Sequence, residues 1–283
     1  MEKIRIVADS TCDLSKELIE KYDISIIPLN IVLDERSLFD GEDITPDEIY
    51  AWTEQNKKTP KTAAVAFDRV ADVLGKAREN GETVICFTIS GDMSTTCNVM
   101  RMVKEDLDYE QMYIIDSQNL STGIGLQVIR AAELARTGLS AAEIVKQIED
   151  ARHLVRASFV VERLDYLAMG GRCSSVVALL GSTLKLKPRI EVSGGKMSAG
   201  KKYRGNQDKV ILKYVQEMEA ELKAADHRRV FITHSGCTSE VIDSVKNYLE
   251  SLGLFEEILI TRAGGVISSH CGPNTLGVLF YAD

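Results

Sequence analysis

No apolar run in the sequence approaches the ~20 residues needed to cross a bilayer as a helix; the longest candidates resemble Val176-Val177-Ala178-Leu179-Leu180. A helical membrane span is therefore not expected. The six cysteines (Cys12, Cys86, Cys97, Cys173, Cys237 and Cys271) are scattered and include no CxxC. The N-terminus runs straight into Ile4-Arg5-Ile6-Val7, without the basic region, apolar core and cleavage site of a signal peptide. Together these features predict reduced thiols in a cytoplasmic protein, and neither a disulfide framework nor a zinc site. Basic charge is also in short supply. The net charge of −8 argues against a general nucleic-acid or anionic-membrane binder.

Several catalytic and nucleotide signatures are missing as well. There is no GxGxxG after the first strand, no GxxxxGK[ST] and no GxSxG elbow. Ser193-Gly194-Gly195-Lys196 matches SxxK by letter, but its two glycines fit the tip of a hairpin better. No repeats and no low-complexity linker interrupt the chain.

What the sequence does contain is a recurring strand–turn–helix pattern. At 283 residues the chain is long for a single core, and two domains are expected. Residues 83–88 are apolar and rich in β-branched side chains. Ser90-Gly91-Asp92-Met93-Ser94-Thr95-Thr96 then forms a polar turn, and Val99, Met102, Val103 and Leu107 mark one face of a helix. Such a turn lies at the carboxyl end of a strand, where the first helix amides lack internal acceptors and favour an anion. No lysine or arginine lies in this turn, so neutral hydroxyls and amides would hold the anion. That suits one carboxylate better than a polyphosphate. The competing reading is that Ser94 or Thr95 simply caps the helix.

The same pattern occurs at residues 4–22 and at 112–135, where Asp116-Ser117 and Ser121-Thr122-Gly123 occupy the turn. It predicts a mostly parallel sheet with helices on both faces, over residues 1–156. Residues 24–32 read as a strand that Pro28 makes an edge or an interrupted one. Thr45-Pro46-Asp47-Glu48 is a capping box opening a helix, and 57–63 reads as a polar loop before a helix at 67–77. Residues 157–283 predict a mixed-sheet α/β domain. Its strands are expected at 158–161, 188–192, 197–203, 229–233, 257–261 and 275–281. Helices are expected at 164–169, 172–180, 206–225 and 239–252.

Among single residues, His270 sits between glycine-rich segments, Gly264-Gly265 and Gly272-Pro273, and reads as a loop histidine able to donate to a carboxylate or phosphate. His234 is a weaker candidate of the same kind, while His153 and His227 read as surface. A nucleophile at Ser90 or Ser94 working with His270 is an alternative, although no acidic orienter can be named. From 185 to 204, Lys185, Lys187, Arg189, Lys196, Lys201, Lys202 and Arg204 face only Glu191. This run reads equally as a phosphate-facing or acidic-partner surface and as a solvated hairpin edge.

Taken together these segments resemble the DegV family, the fatty-acid-binding proteins that serve bacterial fatty acid kinase. The resemblance is carried by residues 6–14 (Ile-Val-Ala-Asp-Ser-Thr-Cys-Asp-Leu) and by Asp116-Ser117 with Gly123 and Gly125. Further along it is carried by residues 164–172, ending in Gly170-Gly171-Arg172, by Leu186-Lys187-Pro188, by Lys202-Tyr203-Arg204-Gly205 and by Ser269-His270-Cys271-Gly272-Pro273. It implies two α/β domains with one long-chain fatty acid between them and no other cofactor or metal. The ligand-binding set implied is Thr62, Ala63, Ser90, Ser94, Thr95, Ser121, His270 and Gly272. The resemblance further implies that the chain performs no chemistry itself. It would present the carboxylate to a separate ATP-binding kinase subunit for acyl-phosphate formation, with Arg172 and Arg204 engaging that subunit or the phosphate. A serine/histidine hydrolase or transferase in the same crevice, or a carrier of another small carboxylate, are the alternatives.

Two positions depart from the family pattern. Ala63 stands where a second hydroxyl is usual, and Asp92-Met93 lengthens the serine turn while Thr95 replaces a glycine. An aspartate here would repel a bound carboxylate unless it faces water.

Overall fold

The computed structural model describes residues 2–180 and 186–283; Lys185, part of the basic run, lies outside them. The N-terminal half contributes β1 (Ile4–Asp9), β2 (Ile24–Ile27), β3 (Asn30–Leu33), β4 (Arg36–Phe39), β5 (Lys61–Ala63), β6 (Thr83–Thr88) and β7 (Met112–Asp116). A four-stranded sheet in the order β2-β1-β6-β7 is parallel throughout. Both of its faces are covered, which explains why β6 is buried at every position. Alternation along the strands divides the two cores. Ile6, Ala8, Ile85 and Phe87 point one way with Ile124 and Ile144, whereas Val7, Val84 and Cys86 point the other way with Val70, Leu74, Met100 and Val103.

The C-terminal half contributes β8 (Val155–Val160), β9 (Lys187–Ser193), β10 (Lys196–Tyr203), β11 (Ala225–Ser235), β12 (Glu257–Arg262) and β13 (Thr275–Ala282). They form a six-stranded mixed sheet in the order β10-β9-β8-β13-β11-β12, in which only β11 and β12 run parallel. Helix Thr122–Arg136 lies between the two sheets. Its core cluster joins Ile85 and Ile115 of the first sheet to Ala157, Phe231 and Leu279 of the second. This helix is buried around most of its circumference, as a central layer requires. Helices Gln207–Glu217 and Ser239–Leu252 cover the far face of the mixed sheet.

Local sequence logic accounts for many of these boundaries. Thr45 and Ser140 each cap a helix in a reciprocal box with Glu48 and Glu143, an arrangement worth about 1 kcal/mol apiece. Gly171 closes helix Leu164–Gly170 at φ 69°, in the left-handed region that favours glycine. Pro28 does interrupt its segment, and the interruption sends the two halves to different sheets. β2 edges the parallel sheet, while β3 joins a three-stranded antiparallel sheet, β4-β3-β5.

Four expectations need correction. Residues 61–63 are a strand, not part of a polar loop; only Thr62 is partly buried, so no alternating pattern marked them. Residues 206–225 form two helices that part at Met218, and β11 already begins at Ala225. The helix expected from 172 starts at Ser174. His270 is helical, on Gly265–Cys271, because the glycines that look like turn formers in sequence instead admit the N-terminal half close to the helix start.

Candidate functional site

A cavity of about 400 Å³ opens where the two halves meet, within the range of small-molecule sites. The N-terminal half supplies Leu29, Thr62, Ala63, Ile89, Ser94, Thr95 and Leu120, and the C-terminal half supplies Leu167, Arg172, Met197, Ile267 and His270. Most of the wall is apolar. Of the polar groups, Thr62 and His270 are bonded to one another and Arg172 reaches the Met93 carbonyl of the serine turn, a cluster that defines the polar end.

That end is assembled from three elements. β5 pairs with β3 so that Thr62 lies opposite Ile31, bringing its hydroxyl to 2.8 Å from His270 Nε2. The serine turn follows β6. Its entry is fixed by the Ile89 amide donating to Asp9 at 2.7 Å, and its curl by the Met93 and Ser94 amides donating to the Ser90 carbonyl. Ser94 Oγ lies 2.9 Å from Thr96 Oγ1 and accepts from the Thr96 amide, so Ser94 closes the helix start from just outside it. Thr95 is the residue at the cap position, but its side chain makes no capping bond. The third element is helix Gly265–Cys271, whose His270 faces Thr62. Gly170 packs against the ring so closely that a Cβ there would fall 2.2 Å from Nδ1.

Among the described residues, His270 Nδ1 is buried without a hydrogen-bond partner. Burial, reinforced by the nearby Arg172 guanidinium, holds the imidazole pKa down to about 4, so the ring is neutral at pH 7. Arg172 donates to the carbonyls of Met93 and Gly170, at 3.2 and 2.6 Å, which fastens it between the serine turn and the glycine pair. Asp92 also borders the cavity. It is half-exposed and lies 3.7 Å from Lys196 Nζ, which offsets its charge.

Of the residues singled out in the sequence, the fold brings Thr62, Ala63, Ser94, Thr95, His270 and Arg172 to one cavity. It does not bring the others there. Ser90 is buried and donates to the Gly195 carbonyl at 2.7 Å, tying the serine turn to the β9–β10 hairpin. Ser121 donates to Asp13 at 2.5 Å and borders a smaller adjoining cavity, of about 20 Å³. Gly272 turns the chain against Tyr166 at φ 73°, with its carbonyl accepting from Ser235. Arg204 is exposed beyond the end of β10. His234 lines the smaller cavity.

The basic run is largely neutralised by carboxylates, all but Glu191 from other elements. Lys187 faces Glu162, Arg189 faces Glu191 and Glu221, Lys196 faces Asp92, and Lys201 faces Glu217. The cysteines resolved as thiols include Cys271 on the cavity wall, which burial pushes up to about 12, leaving it unreactive. Among the described residues no group of His, Cys, Asp or Glu side chains is arranged to hold a metal ion, and no helix is long and apolar enough to cross a membrane.

Residues 3–283 match the family model described as an uncharacterised protein, DegV family. The chain belongs to the DegV family. A DegV domain-containing protein of Clostridium perfringens is 32% identical over 283 residues, covering 100% of this chain and 99% of that one. Among solved structures, a DegV family protein from Thermus thermophilus, described by its fatty acid binding, superposes with a TM-score of 0.91 at 29% identity, covering 99% of this chain and all of that one. A stearic acid-binding protein from Eubacterium ventriosum gives 0.87 at 30% identity over 100% and 98% of the two chains. The DegV fold thus extends over the chain from end to end.

Sequence reasoning missed the apolar wall. Leu29, Leu120, Leu167, Met197 and Ile267 come from five separate segments, and nothing local distinguishes them from other core residues.

Proposed function

We propose that this chain binds a long-chain fatty acid with its carboxylate at the Thr62–Ser94–His270 end of the cavity. In this reading it presents that carboxylate to a separate ATP-dependent kinase subunit in the cytoplasm for acyl-phosphate formation. The observation that carries the reading is the cavity itself, apolar along most of its wall, with the Thr62, Ser94 and Thr95 hydroxyls, His270 and Arg172 among its polar lining. Solved relatives of similar fold are described as fatty-acid-binding.

The hydrogen bonds suit a carboxylate acceptor. With His270 neutral and its Nδ1 unpartnered, the less costly tautomer keeps that buried nitrogen free of a proton and puts the proton on Nε2. Nε2–H then donates to Thr62 Oγ1, and the Thr62 hydroxyl hydrogen is free to point at a ligand oxygen. Arg172, at the same end, supplies a positive charge for the head group or for the phosphate it would receive. Arg204, exposed beyond β10, would meet that partner rather than the ligand.

The apolar wall supplies the affinity. Burying a chain of about fifteen methylenes is worth on the order of 12 kcal/mol before ordering costs, against about 0.5–1.5 kcal/mol net for each neutral hydrogen bond at the head. Leu120, Ile267 and Cys271 separate the main cavity from the smaller one, so rotation of these side chains would lengthen the space for a tail.

A hydrolase or transferase mechanism draws less support from the geometry. Ser94 is engaged with Thr96, His270 with Thr62, and among the described residues no carboxylate bonds to the imidazole. The deciding experiment is solvent extraction of purified protein followed by mass spectrometry. Recovery of a long-chain carboxylic acid in near-equimolar amount is the expected result. A short or absent acid, or labelling of Ser94 by a serine-directed probe, would overturn the reading.

A further inference from the structure

The helix that carries His270 packs against Leu164–Gly170 of its own half, but its start is seated by the other half of the molecule. Gly264, Gly265 and Val266, at its start, donate their amides to two buried carboxylates of the N-terminal half. Asp13 accepts from Gly264 at 2.8 Å, and Asp40 accepts from Gly265 at 2.7 Å and from Val266 at 3.3 Å. These are amides that a helix cannot satisfy internally. Glycine is required where the carboxylates enter, since a Cβ on Gly265 would lie 2.8 Å from Asp40 and 2.5 Å from Ile31. Ile31 is also the residue paired with Thr62 across β3 and β5. The same few residues therefore register both partners of the His270–Thr62 hydrogen bond.

The Asp9–Asp13 segment extends this arrangement. Asp9 holds the Ile89 amide at the entry of the serine turn, Ser10 donates to Asp40 at 2.9 Å, and Asp13 binds both Gly264 and Ser121. One short turn after β1 thus braces the two sides of the head-group end.

We propose that Asp40, with Asp13 in a lesser role, is the positioning residue that holds His270 in register with Thr62. His270 lies about 7.5 Å along the helix from Gly265, at 1.5 Å rise per residue, so a small tilt at the seated end displaces the imidazole appreciably. The two carboxylates are not equivalent. In Asp13→Asn the amide oxygen still accepts from Gly264, and the new NH₂ donates to Ser121, whose hydroxyl reverses its role. In Asp40→Asn one oxygen becomes an NH₂ facing a backbone N–H, of Gly265 or of Val266, which cannot reverse. Asp40→Asn is therefore disruptive where Asp13→Asn is tolerated.

The test is a long-range ¹H–¹⁵N spectrum of the imidazoles in ¹⁵N-labelled protein without added lipid, followed from pH 4 to 8, with His270 assigned by its loss in His270→Gln. Wild type and Asp13→Asn should share one Nε2–H tautomer, with no titration near neutrality. Asp40→Asn should show mixed tautomers and a His270 midpoint moved from about 4 toward the ordinary 6.5. Ser10→Ala, which removes one donor from Asp40, should move it the same way by less. A wild-type-like His270 in Asp40→Asn, or equal shifts in the two asparagine variants, overturns the proposal. If circular dichroism shows Asp40→Asn unfolded, Ser10→Ala decides, and an unmoved His270 in that variant overturns it. A second arm adds [1-¹³C]palmitate and so rests on the fatty-acid reading. Failure of wild type to bind palmitate would sink that reading while leaving the imidazole result to decide this one.

Discussion

The two ends of the cavity are built on different principles. At the polar end most side chains are already engaged within the protein: Thr62 with His270, Ser94 with Thr96, Arg172 with the Met93 carbonyl and Asp92 with Lys196. Along the apolar wall, Leu29, Ile89, Leu120, Leu167, Met197 and Ile267 are held only by packing. The polar end is therefore pre-organised and gains little net free energy on meeting a ligand, because each bond to it replaces one to water. The wall gains in proportion to the area it covers. On the proposed function, orientation belongs to one end and affinity to the other.

The most severe way to break this contrast is to fill the wall. Leu120→Trp should occlude the space shared by the two cavities and displace about five methylenes, a loss of about 4 kcal/mol or roughly a thousandfold in lipid affinity. Fluorescent fatty-acid displacement measures it, with thermal melting to verify folding. A loss below about tenfold would mean that the tail does not pass Leu120.

Next in size is the pH dependence of stability. The folded imidazole of His270 titrates at about 4 against an ordinary 6.5, so below 6.5 the unfolded chain takes up a proton that the folded one refuses. Its contribution is complete above 6.5 and is lost as pH falls through about 4, a change of about 3 kcal/mol. Asp9 acts oppositely, since burial pushes it from 3.8 up to about 6 and stability from it declines as pH rises across that interval. The difference between wild type and His270→Gln in urea unfolding isolates the histidine. Parallel curves from pH 7 to 4 would contradict its burial as a neutral ring.

How much of this was legible from residues alone follows the same divide. Signals confined to a few neighbours were readable: the Thr45–Glu48 box, the interruption at Pro28, the hairpin tip at Gly194-Gly195 and the strand–turn–helix at 83–106. His270 stands out from its own surroundings and Thr62 only through the family resemblance, and their hydrogen bond spans 208 residues and depends on a three-residue strand without a pattern of its own. His270 looked like a loop residue because Gly264 and Gly265 are read locally as turn formers. Their reason lies in Asp13, Asp40 and Ile31, far away in sequence. Asp40 carries no signal of its own in the sequence, because the two amides it accepts from lie 225 and 226 residues away.

Thr62→Val tests the polar end directly. It keeps the shape and deletes the hydroxyl that would face the ligand. Fatty-acid retention should fall by only about two- to tenfold, the value of one neutral hydrogen bond. Acyl-phosphate formation with a kinase subunit should fall further, because a misdirected carboxylate is still bound but badly presented. Equal losses in both assays would erase the distinction between orientation and affinity.

The smallest effect expected concerns Asp92. Its carboxylate borders the cavity, yet it is half-exposed and offset by Lys196 at 3.7 Å. An exposed pair of this kind is worth about 0–1 kcal/mol, and its field is screened within roughly 8 Å at physiological ionic strength. Lys196→Ala should therefore weaken binding of a fatty acid anion by less than about fivefold, more at low salt than at high, and Asp92→Asn should restore the loss. A salt-independent loss would show that Lys196 acts through the packing of the hairpin rather than through charge. A loss exceeding that of Thr62→Val would move the charged head group away from the hydroxyls and toward the β9–β10 hairpin.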